Sequence, residues 1–170
     1  MTPRHRSSAT PLAMAMAALV LYASLYPFSG WRWPAGADLG TLMRLPWPPW
    51  VDRLDELFNL LGYLPLGLLA MVAARRSGLR LGLSLVLSIL APALMSYGTE
   101  VTQSFLPGRH PSLKDVLMNS LGAACGATIA LLLQSFGLVG RWHGVRERWF
   151  RRRSAGALAL RAATAKFSYS

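Results

Sequence analysis

The chain has 170 residues, of which 53% are hydrophobic and 15% charged, and it carries a formal net charge of +11. This balance is typical of a membrane protein and argues against a soluble domain. The single cysteine, Cys125, excludes an intramolecular disulfide and a CxxC metal or redox site. Because the basic residues lie between and after apolar runs, we expect anionic lipid as their partner and no nucleic acid.

Four apolar stretches are long enough for a transmembrane helix, which needs about 20 mostly apolar residues. We therefore expect an all-α, integral membrane four-helix transmembrane bundle over residues 11–136, between an N-terminal segment (1–10) and a basic C-terminal amphipathic tail (137–170). A signal peptide is the alternative for the first stretch, because Arg4 and Arg6 precede it, although no clear small-x-small cleavage site follows. The stretches are residues 11–28, 57–74, 81–105 and 116–136.

The distribution of charge predicts the orientation of this bundle. Lys and Arg in short loops are held on the cytoplasmic side. In the four-helix arrangement, both termini and the turn "RRSGLR" hold thirteen of the eighteen basic residues, whereas the other side holds six of the seven acidic ones. We therefore expect a multi-pass protein of the bacterial cytoplasmic (inner) membrane with cytoplasmic N and C termini.

Tryptophan and proline alternate in residues 29–52, between the first two stretches. An indole suits the headgroup level of a membrane, because its faces are apolar and its N–H is polar. We expect an irregular segment at the outer interface; an aromatic ligand-binding platform is the alternative.

Polar side chains gather at one end of the predicted helices. Glu100 and Gln103 are three residues apart, and Asp115 and Asn119 are four apart, so each pair shares a helix face. Ionisable residues at shallow membrane depth usually face the bundle interior and suggest a functional site. Asp55 and Asn59 repeat the four-residue spacing at the start of the second stretch.

The turn "LPGRHPS" carries Arg109, whose planar fork suits a carboxylate or a phosphate. Arg109 is the expected cation for Glu100 or Asp115. Ser112 is expected to cap the fourth helix. Each residue taken singly therefore also has a purely structural explanation: Glu100 and Arg109 as a salt bridge that closes the hairpin, and Asp115 as part of the helix cap with Ser112.

Other chemistry has weaker support in the sequence. His110 could act as a general base, but a solvated histidine is favoured. No HxxxH or HExxH pattern is present, and we expect no metal and no cofactor. Pro65 and Pro92 predict helix kinks. Gly122 and Gly126 form a GxxxG step that predicts a helix-packing face.

Three blocks of the chain resemble the VanZ-like family of small bacterial membrane proteins: "YASLYPF", "DELFNLLGYLPLG" and "EVTQSFLPGRHPSLKDVLMNSLGAACG". The resemblance covers roughly residues 10–135 and implies a four-helix membrane protein of the cell envelope. It also implies a link to resistance to glycopeptides of the teicoplanin type. The positions that carry the family motif are Asn59, Glu100, Gln103, Arg109, Asp115 and Asn119.

The tail from Arg141 places Trp142, Val145 and Trp149 on one apolar stripe with a basic remainder. This pattern is typical of an interfacial helix on anionic lipid.

Three functions are compatible with the polar residues. The first is a non-enzymatic envelope protein that binds an anionic or polyol headgroup of a lipid-linked intermediate. The second is a membrane-embedded hydrolase or transferase on such a substrate, with Glu100 or Asp115 as general base. The third is a polar cluster that only fixes helix packing. The sequence does not determine the oligomeric state.

Overall fold

A computed structural model describes residues 8–49 and 53–136. Regular structure in these residues is entirely helical. The predicted amphipathic tail and residues 1–7 lie outside the described residues. The helices are α1 (Ala9–Leu25), α2 (Leu39–Met43), α3 (Arg53–Arg76), α4 (Leu81–Gln103) and α5 (Leu113–Ser135).

Three of these helices, α3, α4 and α5, are long and apolar enough to cross a membrane. They coincide with the second, third and fourth predicted stretches. Helix α1 is apolar but has 17 residues, a length of about 26 Å at 1.5 Å per residue. It packs against α3 and α4. A fourth membrane crossing, by α1, stays a prediction.

The surface of α4 is inverted relative to that of a soluble helix. Ser84, Ser88 and Ser96 are buried at multiples of four residues, and Leu90 and Leu94 are 48% and 62% exposed. In water this arrangement would expose large apolar side chains while burying polar ones. In lipid the same arrangement is favourable for both faces of α4, because the apolar face meets hydrocarbon and the polar face meets other helices.

Helices α3 and α5 approach each other at backbone distance, and glycine makes this possible. A Cβ atom on Gly122 would collide with the carbonyl oxygen of Leu60, and one on Gly126 would collide with that of Leu64. Gly67 makes the reciprocal approach to the backbone of Ala123. The GxxxG step is therefore a helix-packing face, as the sequence predicts.

The loop between α1 and α3, described for residues 26–49, is not wholly irregular, because it contains the short helix α2. We refer to it as the first loop. Its Asp38 side chain accepts a hydrogen bond of 2.6 Å from the Thr41 backbone N–H. Hydrogen bonding with Thr41 lowers the pKa of the Asp38 carboxyl below its ordinary value.

Two hydrogen bonds tie the first loop to the helices. The Tyr97 hydroxyl donates to the Met43 carbonyl at 2.8 Å, and the Leu113 N–H donates to the Pro46 carbonyl at 3.0 Å. The loop is thereby held over the bundle end where α1 and α4 finish and α3 and α5 begin, which we call the polar end.

Helices α3 and α4 continue through Pro65 and Pro92, which lie inside them. The kinks expected at these positions stay a prediction.

Candidate functional site

A cavity of about 390 Å³ lies at the polar end, and all seven side chains selected from the sequence line it. We call it the polar cavity. Five separate segments of the chain meet there: α1, α3, α4, α5 and the turn between α4 and α5. The seven residues are Asp55, Asn59, Glu100, Gln103, Arg109, Asp115 and Asn119.

Helix α4 contributes Glu100 and Gln103. Glu100 is only 5% exposed, and its Oε2 atom accepts a hydrogen bond of 3.0 Å from the Ser112 backbone N–H. Gln103 donates through Nε2 to the Ser24 carbonyl at the end of α1, at 2.8 Å. Both side chains therefore connect α4 to a neighbouring segment while lining the polar cavity.

Helices α3 and α5 face each other across the cavity. Asp55 and Asn59 come from α3, and Asn59 lies beside the Asp115 carboxylate of α5. Deeper along α5, Asn119 donates through Nδ2 to Ser96 Oγ at 2.8 Å. The predicted pairs of one carboxylate and one amide thus come together in a single place.

Two atoms deep in the cavity wall have no hydrogen-bond partner within the described residues. They are Asn119 Oδ1 and the Tyr63 hydroxyl oxygen, which lies beside the side chains of Ser96 and Thr99 without the geometry of a hydrogen bond. Each residue is 4% exposed. Most buried polar groups in proteins are hydrogen-bonded. Both residues line the polar cavity, so these two atoms are hydrogen-bonding capacity in its wall that no described residue uses.

The predicted serine cap of α5, the fourth of the predicted membrane helices, is confirmed. Ser112 Oγ accepts a hydrogen bond of 3.0 Å from the Asp115 backbone N–H, which satisfies one of the free donors at the start of α5. Since the Ser112 backbone N–H also donates to Glu100, one serine fixes the start of α5 and the position of a cavity carboxylate.

Arg109 is paired differently from the sequence expectation. Its Nη2 atom donates to the Tyr26 carbonyl at 3.0 Å, and within residues 8–49 and 53–136 it forms no ion pair with Glu100 or Asp115. The reason is local geometry, because the first loop brings the Tyr26 carbonyl to the guanidinium, while Glu100 accepts from the Ser112 N–H. One of the five N–H donors of Arg109 is used in this way, so four remain.

Lys114 makes an ion pair with Glu56 at the polar end. A second cavity of about 460 Å³, lined partly by Trp47 and Lys114, shares Asp55 and Asp115 with the polar cavity. His110, also in both linings, is exposed. Across the described residues, no group of three or more His, Cys, Asp or Glu side chains is arranged to hold a metal ion.

Sequence reasoning missed two residues of the inner wall, Tyr63 and Thr99, and the supporting Ser96. Four-residue spacing could have found them, because Tyr63 follows Asn59 by four positions and Ser96 precedes Glu100 by four. Both are less polar than a carboxylate, and serine and tyrosine are common in apolar helices. The signal is therefore visible only once Asn59 and Glu100 are known to face a cavity.

Comparison with known proteins identifies one family. No curated protein and no solved structure matches the chain. The model of one protein family, VanZ/LLP1, matches residues 5–134, more than half of the chain, including α1 to α4 and nearly all of α5. Together with the three membrane-length helices, this match shows that the chain is a VanZ-like membrane protein belonging to the VanZ/LLP1 family.

Proposed function

We propose that the polar cavity binds the hydroxyl-bearing headgroup of an envelope lipid or lipid-linked intermediate. The observation that carries the proposal is a pair of buried atoms, Asn119 Oδ1 and the Tyr63 hydroxyl, that have no hydrogen-bond partner in the part of the chain that the structure describes. They belong to a wall that also holds carboxylates. An unsatisfied buried polar group costs about 1–3 kcal/mol. An occupant that hydrogen-bonds to these atoms recovers that cost.

The chemistry of the wall favours an occupant that donates hydrogen bonds. Ionised carboxylates only accept hydrogen bonds, and so does the amide oxygen of Asn119. The carboxylates of Asp55, Glu100 and Asp115 would repel a phosphate in the same space. Sugar or glycerol hydroxyls fit such a wall, and the volume of about 390 Å³ is in the usual range for small-molecule sites.

The position of the cavity supports a lipid as the source of the headgroup. The cavity is lined by residues at the ends of helices whose outer faces are apolar, so acyl chains could remain in the membrane while the headgroup enters. With cytoplasmic termini, the orientation we infer from the basic residues, this end faces away from the cytoplasm.

Native mass spectrometry of the purified protein tests the proposal. The probes are phosphatidylglycerol, which carries glycerol hydroxyls, and phosphatidylethanol, which has the same charge and no headgroup hydroxyl. We expect preferential retention of phosphatidylglycerol and loss of that preference in Asn119→Ala. Ser120→Ala is the matched control, because Ser120 neighbours Asn119 but does not line the cavity. Equal retention of both lipids by the unmodified protein would contradict the proposal.

A second candidate function is a hydrolase or transferase acting on a lipid-linked cell-wall or polysaccharide intermediate. Glu100 favours it: this buried carboxylate lines the cavity, and its Oε1 atom makes no hydrogen bond within the described residues, so it could accept a proton. Glu100→Gln keeps an acceptor for Ser112 but removes the base. An enzyme would bind a lipid-linked diphosphate sugar yet lose about 10²–10⁴-fold of its turnover; a binding protein shows no product with either form.

A link to teicoplanin-type resistance, implied by the family resemblance, is a further part of the proposal. It requires that headgroup binding at the outer face changes access of the drug to the envelope. Expression in a susceptible bacterium should raise the minimal inhibitory concentration of teicoplanin, and Asn119→Ala should abolish the increase. An unchanged value with correctly inserted protein would separate headgroup binding from resistance.

A further inference from the structure

A third cavity, of about 500 Å³, lies between the first loop and the turn joining α4 to α5. Arg32 and Arg109 both line it, together with Trp33, Phe105 and Gly108, and no acidic residue does. We call it the arginine cavity. It differs in charge from the polar cavity, where three carboxylates gather.

The position of Arg32 is fixed by contacts between the first loop and the turn. The Arg32 backbone N–H donates to the Phe105 carbonyl at 3.0 Å. The rings of Trp33 and Phe105 meet edge to face with centroids 5.4 Å apart, a favourable aromatic geometry. Gly108, which precedes Arg109 in the turn, adopts a φ of +78°, a conformation that a residue with a Cβ atom rarely tolerates.

Both guanidinium groups have donors to spare. Within residues 8–49 and 53–136, the Arg32 side chain makes no hydrogen bond and no ion pair, and Arg109 makes one hydrogen bond, to Tyr26. Two cations beside one space without a carboxylate repel each other and favour an anion between them. The planar fork of arginine matches the oxygens of a phosphate.

We propose that the arginine cavity holds the phosphate of the bound lipid, with Arg32 as a further binding residue. The inference rests on the function proposed above for the polar cavity. Arg109 lines both spaces, so a single headgroup could place its phosphate beside the two arginines and its hydroxyls against Asn119 and Tyr63. The ligand class is then a phosphodiester lipid whose headgroup carries a polyol.

Three lipid probes separate the two halves of this site. Phosphatidylglycerol carries phosphate and polyol, phosphatidylethanol carries the phosphate alone, and a glucosyl diacylglycerol carries the polyol alone. Retention of each lipid by the full-length protein is measured by native mass spectrometry. Arg32→Ala should lower retention of the two phosphate lipids about tenfold, the change that corresponds to one lost charge-assisted hydrogen bond, and leave the glucosyl lipid unaffected.

Arg44→Ala is the matched control, because Arg44 is an exposed arginine of the same loop that lines none of the three cavities. It removes the same charge and should leave all three lipids unaffected. An equal loss in Arg32→Ala and Arg44→Ala would show general attraction to anionic lipid and overturn the assignment. Unchanged retention of the phosphate lipids in Arg32→Ala would also overturn it.

Two further measurements show whether the phosphate belongs to a lipid or to a soluble ester, and which of the two cavities fails to bind if a prediction is wrong. Glycerol 3-phosphate at millimolar concentration should not displace phosphatidylglycerol; displacement would assign the site to a soluble ester and overturn the lipid assignment. Asn119→Ala should lower retention of the two polyol lipids and spare phosphatidylethanol. If Asn119→Ala has this effect and Arg32→Ala has none, the polar cavity binds a headgroup and the arginine cavity does not.

Discussion

The backbone N–H of Ser112 donates a hydrogen bond of 3.0 Å to Glu100 Oε2, across a separation of 12 residues. The bond is buried and joins the last turn of α4 to the residue that directly precedes α5. The same serine caps α5 through its hydroxyl. The Glu100 carboxylate therefore both lines the polar cavity and holds the hairpin of α4 and α5 together. A substitution that tests ligand binding must keep the hydrogen bond to Ser112.

Glu100→Ala should lower the free energy of unfolding by about 1–3 kcal/mol, because it leaves the buried Ser112 N–H without an acceptor. Glu100→Gln retains an oxygen at that position and should cost less. The measurement is the thermal unfolding midpoint of the purified protein in one detergent. Equal midpoints for Glu100→Ala and the unmodified protein would show that the hydrogen bond does not stabilise the hairpin.

Gly126→Ala should destabilise the bundle by about 1–3 kcal/mol, the usual cost of overpacking, because the new methyl group would collide with the Leu64 carbonyl of α3. Gly98→Ala is the control, since nothing lies within 4 Å of a Cβ atom at that position. The control should unfold at the same or a higher temperature, because alanine favours helix over glycine. Similar losses in both variants would contradict the proposed reason.

The hydrogen bond between Asn119 and Ser96 should show energetic coupling in a double-mutant cycle. Interhelical hydrogen bonds in membrane proteins contribute on average about 0.6 kcal/mol and at most about 1.7 kcal/mol. We expect a coupling in this range from the unfolding free energies of Asn119→Ala, Ser96→Ala and the double variant. Strictly additive effects would indicate that the two side chains stabilise the bundle independently.

The inferred orientation can be tested by labelling with a membrane-impermeant maleimide. In a Cys125→Ala background, Ser29→Cys of the first loop and Ser77→Cys of the turn between α3 and α4 place exposed thiols at opposite ends of the bundle. In spheroplasts we expect labelling of Ser29→Cys alone, and labelling of Ser77→Cys only after permeabilisation. The reverse pattern would place the polar cavity on the cytoplasmic side.

Helix spacing accounts for most of what could be predicted about the site. Residues three or four apart share a helix face, so the sequence alone pairs Glu100 with Gln103 and Asp115 with Asn119. Spacing does not reveal the partner of a flexible side chain. The sequence favours a carboxylate as the partner of Arg109, whereas the guanidinium donates to the Tyr26 carbonyl, because the first loop brings a backbone acceptor to the turn.

Sequence spacing also fails to indicate that Arg32 belongs to a site. It lies in a tryptophan-rich loop far in sequence from Arg109, and its spacing indicates no partner. The two arginines reach one cavity through contacts between the first loop and the turn: the Arg32 backbone hydrogen bond to Phe105, the contact of Trp33 with the Phe105 ring, and the Arg109 hydrogen bond to Tyr26.

The sequence by itself determined that the helices belong in a membrane and where they lie along the chain. Apolar runs of membrane length and helix periodicity are local properties of the chain. It also determined which polar residues lie at one end of the helices. The tertiary structure decided which of these side chains touch, which atoms are left without a partner, and which cavities they line. Those features depend on packing between segments distant in sequence, and here that packing rests on glycine contacts between α3 and α5 and on the first loop closing over the polar end.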